Sequence, residues 1–467
     1  MKVYRLLFYF FLLNCIPLAR AGTINISGTG NGYAGVELKL FFQTDPVSKR
    51  LKPLFRVRCD STGSFSCEIP SSGDGKLYIK AGIYSFFLYT TEGSEYVLRL
   101  PEFYEKTEGE KHNPFFVETS IIPQVINNQK DINNFIRIFD TEFNPVYNDV
   151  ADRIFKNYGK SDIPGLIQKL NSLSGIDTSS FFLDFVKFRM IMLNRVAQGE
   201  YPGRMEDSLM INLKFLPRNP AYIDLINQQF TGYFRAIQNG PFKEEYLRAI
   251  ATSSVVGLKD ILRKDGKAEN ISLQEYVIML DIYSEYYYGT IPPGNALAIL
   301  SELKMSGSVV FIRGTAAILL ERMNSLRAGT LPPDFSLLDE YGKPVTPADF
   351  KGKYLLITFA RSDNPYTVEE YHLLTMWFGK YSNDLQIITI LTDSNFHSAL
   401  EKMKKQGFSW KMLDGSRADM LEYTYDIKMY PSFMLIDREG KIAIPDCPFP
   451  SEYLESIIKR LVNGSGS

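Results

Sequence analysis

The spacing of apolar residues changes twice along this chain, and each change restricts what the segment can fold into. From Thr23 to about Thr119 apolar positions alternate in short runs, 36–42, 54–59, 64–69, 76–79, 85–89 and 96–100, broken by Gly, Ser and Asp clusters. Alternation sends successive side chains to opposite faces of a strand, so short runs between turns predict an antiparallel β-sandwich. From about 121 to 328 the spacing becomes three and four, clearest in 181–193, 222–237 and 273–287. That is one face of a helix repeated, and it predicts an α-helical middle region. Tyr201-Pro202-Gly203 and Pro217-Arg218-Asn219-Pro220 punctuate it. Beyond 329, strand signals (354–359, 385–391) alternate with helix signals (366–380, 396–406), followed by a hairpin of 433–437 with 441–444 and a last helix over 451–461. Such alternation builds an α/β domain.

A chain of 467 residues has room for about three domains, and the texture divides it accordingly. The divisions are a sandwich over 22–120, helices over 121–328, an α/β domain over 329–463 and a flexible Gly-Ser tail over 464–467.

Composition removes several classes of function. Lys and Arg number 52 against 53 Asp and Glu, which is not the basic field that nucleic-acid backbones demand. His112, His372 and His397 show no ligand spacing, so neither a metal nor a cofactor is predicted. Gly28-Thr29-Gly30-Asn31-Gly32 lacks the Gly-x-x-x-x-Gly-Lys pattern and reads as a turn. Tyr283, Tyr286, Tyr287 and Tyr288 read as interhelical packing, with a sugar- or base-stacking surface as the competing interpretation.

Residues 1–21 have a basic start, an apolar stretch over 6–13 and the small-residue site Ala19-Arg20-Ala21. This predicts a secretory signal cut after Ala21, and an exported protein of the periplasm or cell surface. Lipidation at Cys15 is disfavoured, because Asn14 stands where a small residue is wanted. No later apolar run is long enough to span a membrane. In an oxidising compartment Cys59 and Cys67, flanking a turn and facing the same way, can form a disulfide; a diagonal register would keep them apart.

In the last region, Leu331-Pro332-Pro333-Asp334-Phe335-Ser336-Leu337, Asp339-Glu340-Tyr341-Gly342-Lys343 and Phe350-Lys351-Gly352-Lys353 resemble the lead-in of exported thioredoxin-like proteins of the TlpA, ResA and peroxiredoxin group. Tyr430-Pro431-Ser432-Phe433-Met434-Leu435-Ile436-Asp437 resembles the strand that follows that group's cis-proline. The whole layout is similar to TlpA-like proteins of Bacteroidetes type. The resemblance implies a thioredoxin-like fold and a Cys-x-x-Cys pair after the first strand.

At that place the sequence reads Ala360-Arg361-Ser362-Asp363-Asn364-Pro365-Tyr366-Thr367. Aligned on Phe359 and Pro365, Asn364 occupies the nucleophile's position and Thr367 that of the resolving cysteine. Thiol–disulfide exchange and peroxide reduction both start from a thiolate, which neither residue can supply. The reading is therefore a redox-inactive pseudo-oxidoreductase with no catalytic residue, in which Asn364 caps a helix and Pro365 opens it. A groove lined by Asn364, Tyr366, Tyr430 and Pro431 would hold an extended peptide of another envelope protein, with a packing platform as the plainer alternative. The competing enzymatic interpretation is a thiol oxidoreductase or peroxidase using Cys447 or a partner's thiol. Cys447 lacks a neighbouring His or Lys to activate it.

Overall fold

A computed structural model describes residues 22–71, 74–113, 116–156, 177, 179–199 and 214–464, together with 165, 168 and 170. The signal segment with Cys15, the Tyr201-Pro202-Gly203 turn and residues 465–467 of the tail lie outside the described residues.

The N-terminal strands form two sheets. β1 (Gly22–Thr29), β4 (Ser64–Ser71), β7 (Glu95–Arg99) and β9 (Gln124–Val125) make one, ordered β4-β1-β7-β9. β2 (Glu37–Gln43), β3 (Leu51–Arg58), β5 (Gly75–Ala81), β6 (Tyr84–Thr90) and β8 (Thr119–Ile121) make the other, ordered β3-β2-β5-β6-β8. Ile24, Ile26 and Leu98 from the first sheet share one core with Leu38, Leu40, Ile79, Phe86 and Leu88 from the second.

Two details depart from the sequence reading. The sheets are not purely antiparallel, because β1 runs parallel to β7 and β6 parallel to β8. The glycine-rich stretch is also only partly a turn. Gly28 lies within β1, where a Cβ would stand 2.8 Å from the Leu98 carbonyl oxygen, so a close backbone approach requires glycine there.

Helices follow. They are α1 (Glu108–His112), α2 (Ile132–Phe155), α3 (Ser180–Gln198), α4 (Pro220–Phe230), α5 (Tyr233–Ile237), α6 (Lys243–Ala251), α7 (Val255–Lys264), α8 (Ile271–Tyr288), α9 (Pro293–Ser306) and α10 (Val310–Ser325). α8 is buried all round over residues 273–282, through Leu273, Tyr276, Val277, Ile278, Met279 and Ile282, and its buried Gln274, Glu275 and Asp281 each have a hydrogen-bond partner. The single helix expected over 222–237 is instead two. Gly232 adopts the left-handed conformation (φ 79°) between α4 and α5, and the buried Asp281 carboxylate of α8 accepts the Gly232 N–H at 2.8 Å and that of Phe234. Tyr283 and Tyr286 pack on the helical core, while Tyr287 and Tyr288 are exposed.

In the C-terminal region a small hairpin of β10 (Leu337–Leu338) and β11 (Pro344–Val345) precedes a five-stranded sheet. That sheet comprises β12 (Tyr354–Ala360), β13 (Leu385–Leu391), β14 (Lys411–Asp414), β15 (Ser432–Ile436) and β16 (Ile442–Ile444), ordered β14-β13-β12-β15-β16. β12 is parallel to β13 and antiparallel to β15, the thioredoxin-like arrangement. Helices α11 (Pro365–Lys380), α12 (Phe396–Lys405), α13 (Asp419–Thr424) and α14 (Leu454–Gly464) complete it. Leu356 and Ala360 of β12 enter one core cluster and Leu355, Ile357 and Phe359 the other, so the central strand is buried on both faces and reads as an unbroken apolar run. β14 and α13 were not anticipated, since four and six residues are too short to show a period.

The Cys59–Cys67 disulfide that the sequence left open is not formed, and both are free thiols. Cys59 follows β3 in one sheet, whereas Cys67 sits in β4 of the other, opposite Ile26. Strand register therefore does not set them opposite each other. Among the described residues no helix is long and apolar enough to cross a membrane.

Candidate functional site

The site is the turn between β12 and α11, together with the loop that enters β15. β12 ends at Ala360, and the next three residues form a tethered turn. The Arg361 guanidinium holds both oxygens of Asp363, at 3.1 and 2.7 Å. The Ser362 hydroxyl donates to the Asp393 carboxylate at 2.6 Å, and the Ser362 N–H donates to the same group. Ser362 and Asp393 each stand two residues past the register pair Ala360↔Leu391, so two adjacent parallel strands deliver them side by side.

Asn364 then caps α11. Its Oδ1 accepts the Tyr366 N–H at 2.9 Å, and Pro365 occupies the first turn, where no N–H is needed. This agrees with the role read from sequence. Sequence did not reveal the second half of the same amide: Nδ2 donates to the Tyr430 carbonyl oxygen at 3.0 Å. The Tyr430–Pro431 peptide bond is cis. One side chain therefore spans the turn and the cis-proline loop, and brings Asn364, Tyr366, Tyr430 and Pro431 into one locale.

The other groups are chemically quiet. Thr367 is fully buried, and its hydroxyl has no hydrogen-bond partner among the described residues. Among the described residues no base hydrogen-bonds to it. The Tyr430 hydroxyl donates to Glu422 of α13. Burial raises the Glu422 carboxyl above the ordinary range, and burial together with Glu422 drives the Tyr430 phenol far above its own. Tyr366, by contrast, is 65% exposed.

Cys447 is not part of the turn. It is 7% exposed in the core on one face of the sheet, its N–H donates to the Phe433 carbonyl at 2.9 Å, and burial pushes its thiol up to about 12. Desolvation opposes the thiolate, the reverse of what a reactive cysteine needs.

Beneath the turn lies a buried polar network. Thr358 and Thr389 hydroxyls are 2.9 Å apart, both contact the Tyr371 hydroxyl, and Trp410 Nε1 donates to Thr389 at 2.9 Å. Sequence gave no sign of it, because Thr in an apolar strand reads simply as a β-former.

Residues 328–444 match the model of the AhpC/TSA family. The C-terminal region is an AhpC/TSA redoxin domain. The redoxin domain accords with the group whose lead-in and proline-strand segments it resembles. No curated protein matches the chain. Among solved structures, the chain is similar to the thioredoxin domain of a thiol-disulfide oxidoreductase from Bacteroides vulgatus (22% identity over 29% of this chain and 99% of that one, TM-score 0.27). It is also similar to a thiol:disulfide interchange protein from a Bacteroides species (23%, 30% and 94%, TM-score 0.28). A thiol-disulfide oxidoreductase from Bacteroides fragilis gives 24% identity over 29% of this chain and 99% of that one, with a TM-score of 0.26.

Proposed function

We propose that this is an exported, redox-inactive member of the redoxin group, acting in the cell envelope as a protein-binding or structural module. In this reading residues 22–120 are a β-sandwich, 121–328 a helical spacer and 329–463 the redoxin domain. The observation that carries it is the placement of Asn364. An amide stands where the group's chemistry begins, and both its ends are committed, to the Tyr366 N–H and the Tyr430 carbonyl. Neither end ionises, so no thiolate-like nucleophile arises there. The burial of Cys447 weighs against the enzymatic alternative.

A guest peptide at Asn364, Tyr366, Tyr430 and Pro431 would find the Tyr366 ring exposed, and would share the Tyr430 carbonyl with Asn364. A carbonyl has a second lone pair to offer. The mature chain is expected to give no turnover in insulin-reduction and peroxide-consumption assays; turnover that disappears in Cys447→Ser would defeat this reading. For the groove, a photo-crosslinker at position 366 in the native cells should capture a discrete partner, and less of it in a Tyr430→Asp background. Equal capture in both backgrounds removes the groove.

A further inference from the structure

α13 has six residues, too few to be helical without outside support. Its support comes from the other two regions, through charge. Asp419, its first residue, accepts from Lys39 of β2 at 3.0 Å and from Arg56 of β3. The Arg50 guanidinium, just before β3, lies 4.1 Å from the Tyr423 ring centroid, donates to the Tyr423 carbonyl and pairs with Asp426 at 3.1 Å. Asp426 also receives Arg322 of α10 on both oxygens at 3.1 Å, and its backbone is left-handed (φ 54°). The arginines and the two carboxylates are largely shielded from solvent, whereas Lys39 and Lys428, the other partners of Asp419 and Asp426, are more exposed, so removing the arginines would leave the carboxylates less well compensated.

The same helix presents Glu422 to the Tyr430 hydroxyl, and Tyr430 in turn accepts from Asn364. A continuous set of contacts thus runs from β2 and β3 through α13 to the Tyr430–Pro431 loop and on to the α11 cap. We propose that the clasp at Asp419 and Asp426 couples the docking of the N-terminal sheets to the order of this loop, which loosens when the sheets let go. Coupling of this kind is reciprocal: whatever engages the loop also tightens or loosens the docking. The inference does not depend on the domain's being redox-inactive.

Hydrogen exchange of the full mature chain, read by mass spectrometry, tests it. In Arg50→Gln/Arg56→Gln, whose changes lie in the N-terminal region, amides in 427–432 should exchange about tenfold faster or more, the order expected for losing partly buried charged hydrogen bonds. β1 and α8 should keep their protection. Loop exchange unchanged from the parent chain overturns the proposal. If β1 and α8 also lose protection, the pair of changes has unfolded the chain, and Lys39→Gln decides. Lys39 lies in β2, outside the loop, and is partly exposed, so the change removes one partner of Asp419 from the N-terminal sheet. Faster exchange in 427–432 then supports the coupling, and parental exchange refutes it.

Discussion

The side-chain amide of Asn364 and the backbone carbonyl of Tyr430 meet at 3.0 Å across 66 residues of sequence. The contact closes the turn after β12 onto the cis-proline loop with a hydrogen bond. The expected consequences for stability can be read cleanly, because both tryptophans of the chain, Trp377 and Trp410, lie in the redoxin domain and their fluorescence follows its unfolding alone.

Asn364→Ala removes the helix cap and the bond to Tyr430 together. The loss should be about 2 kcal/mol, roughly half from each. Asn364→Asp keeps the cap acceptor and loses the donor, so it should cost about 1 kcal/mol, less than the alanine change. Urea titrations followed by tryptophan fluorescence give both values; an aspartate variant at least as damaged as the alanine variant would show that the Tyr430 contact, not the cap, dominates.

Cys447 should resist alkylation. With its thiol pushed up to about 12, the thiolate fraction at pH 8 is only about one in ten thousand, and 7% exposure hinders the reagent further. Iodoacetamide labelling followed peptide by peptide should leave Cys447 unmodified in the native chain and modify it in urea. Rapid native labelling would contradict the burial described above.

Asp281 should make the helical region less stable as the pH rises toward neutrality. Burial pushes its carboxyl up to about 7, against the opposing pull of the Gly232 and Phe234 N–H groups. A carboxyl raised in the folded state contributes stability that is fully present below its unfolded value near ~4 and is lost as the pH climbs through about 7, by up to about 1.4 kcal/mol per pH unit. Asp281→Asn cannot ionise and should lack this component. Stability of the helices between pH 4 and 7, measured by circular dichroism melts of parent and variant, checks the sign; parallel curves would rule it out.

Tyr371→Phe deletes the hydroxyl shared by Thr358 and Thr389. The two threonines retain each other at 2.9 Å, and Trp410 still donates to Thr389, so the cost should be about 1–2 kcal/mol rather than a collapse of the network. Tryptophan fluorescence reports this directly, since Trp410 is itself a member. A neutral substitution would mean the hydroxyl adds nothing to the core.

Much of the architecture was legible because it is local. The strand signal over 385–391 coincides with β13, and that over 354–359 falls one residue short of β12, since both are apolar runs bounded by polar turns. Asn364-Pro365 announced the start of α11 because capping depends on two adjacent residues. The misses are non-local. β1 is missing from the alternating runs, which begin at 36, yet it is central to its sheet because β4 and β7, 35 and more residues away, pair with it. The helix over 222–237 broke because a carboxylate from α8 supplied partners for the amides freed at Gly232 and Phe234, something no window around Gly232 contains.

The residue types alone determined that no thiol stands in the redoxin turn, because ionisation is a property of the side chain and an amide or a buried hydroxyl does not become a thiolate through spacing. They also determined the order of strand-rich, helical and α/β segments, because backbone periodicity is written within a few turns of chain. Only the tertiary structure decided that Cys59 and Cys67 remain free thiols, that Asn364 reaches Tyr430, and that arginines from two other regions converge on α13 and the residues just after it. Those contacts follow from strand order and from how the layers pack, and both depend on groups brought together across tens to hundreds of residues.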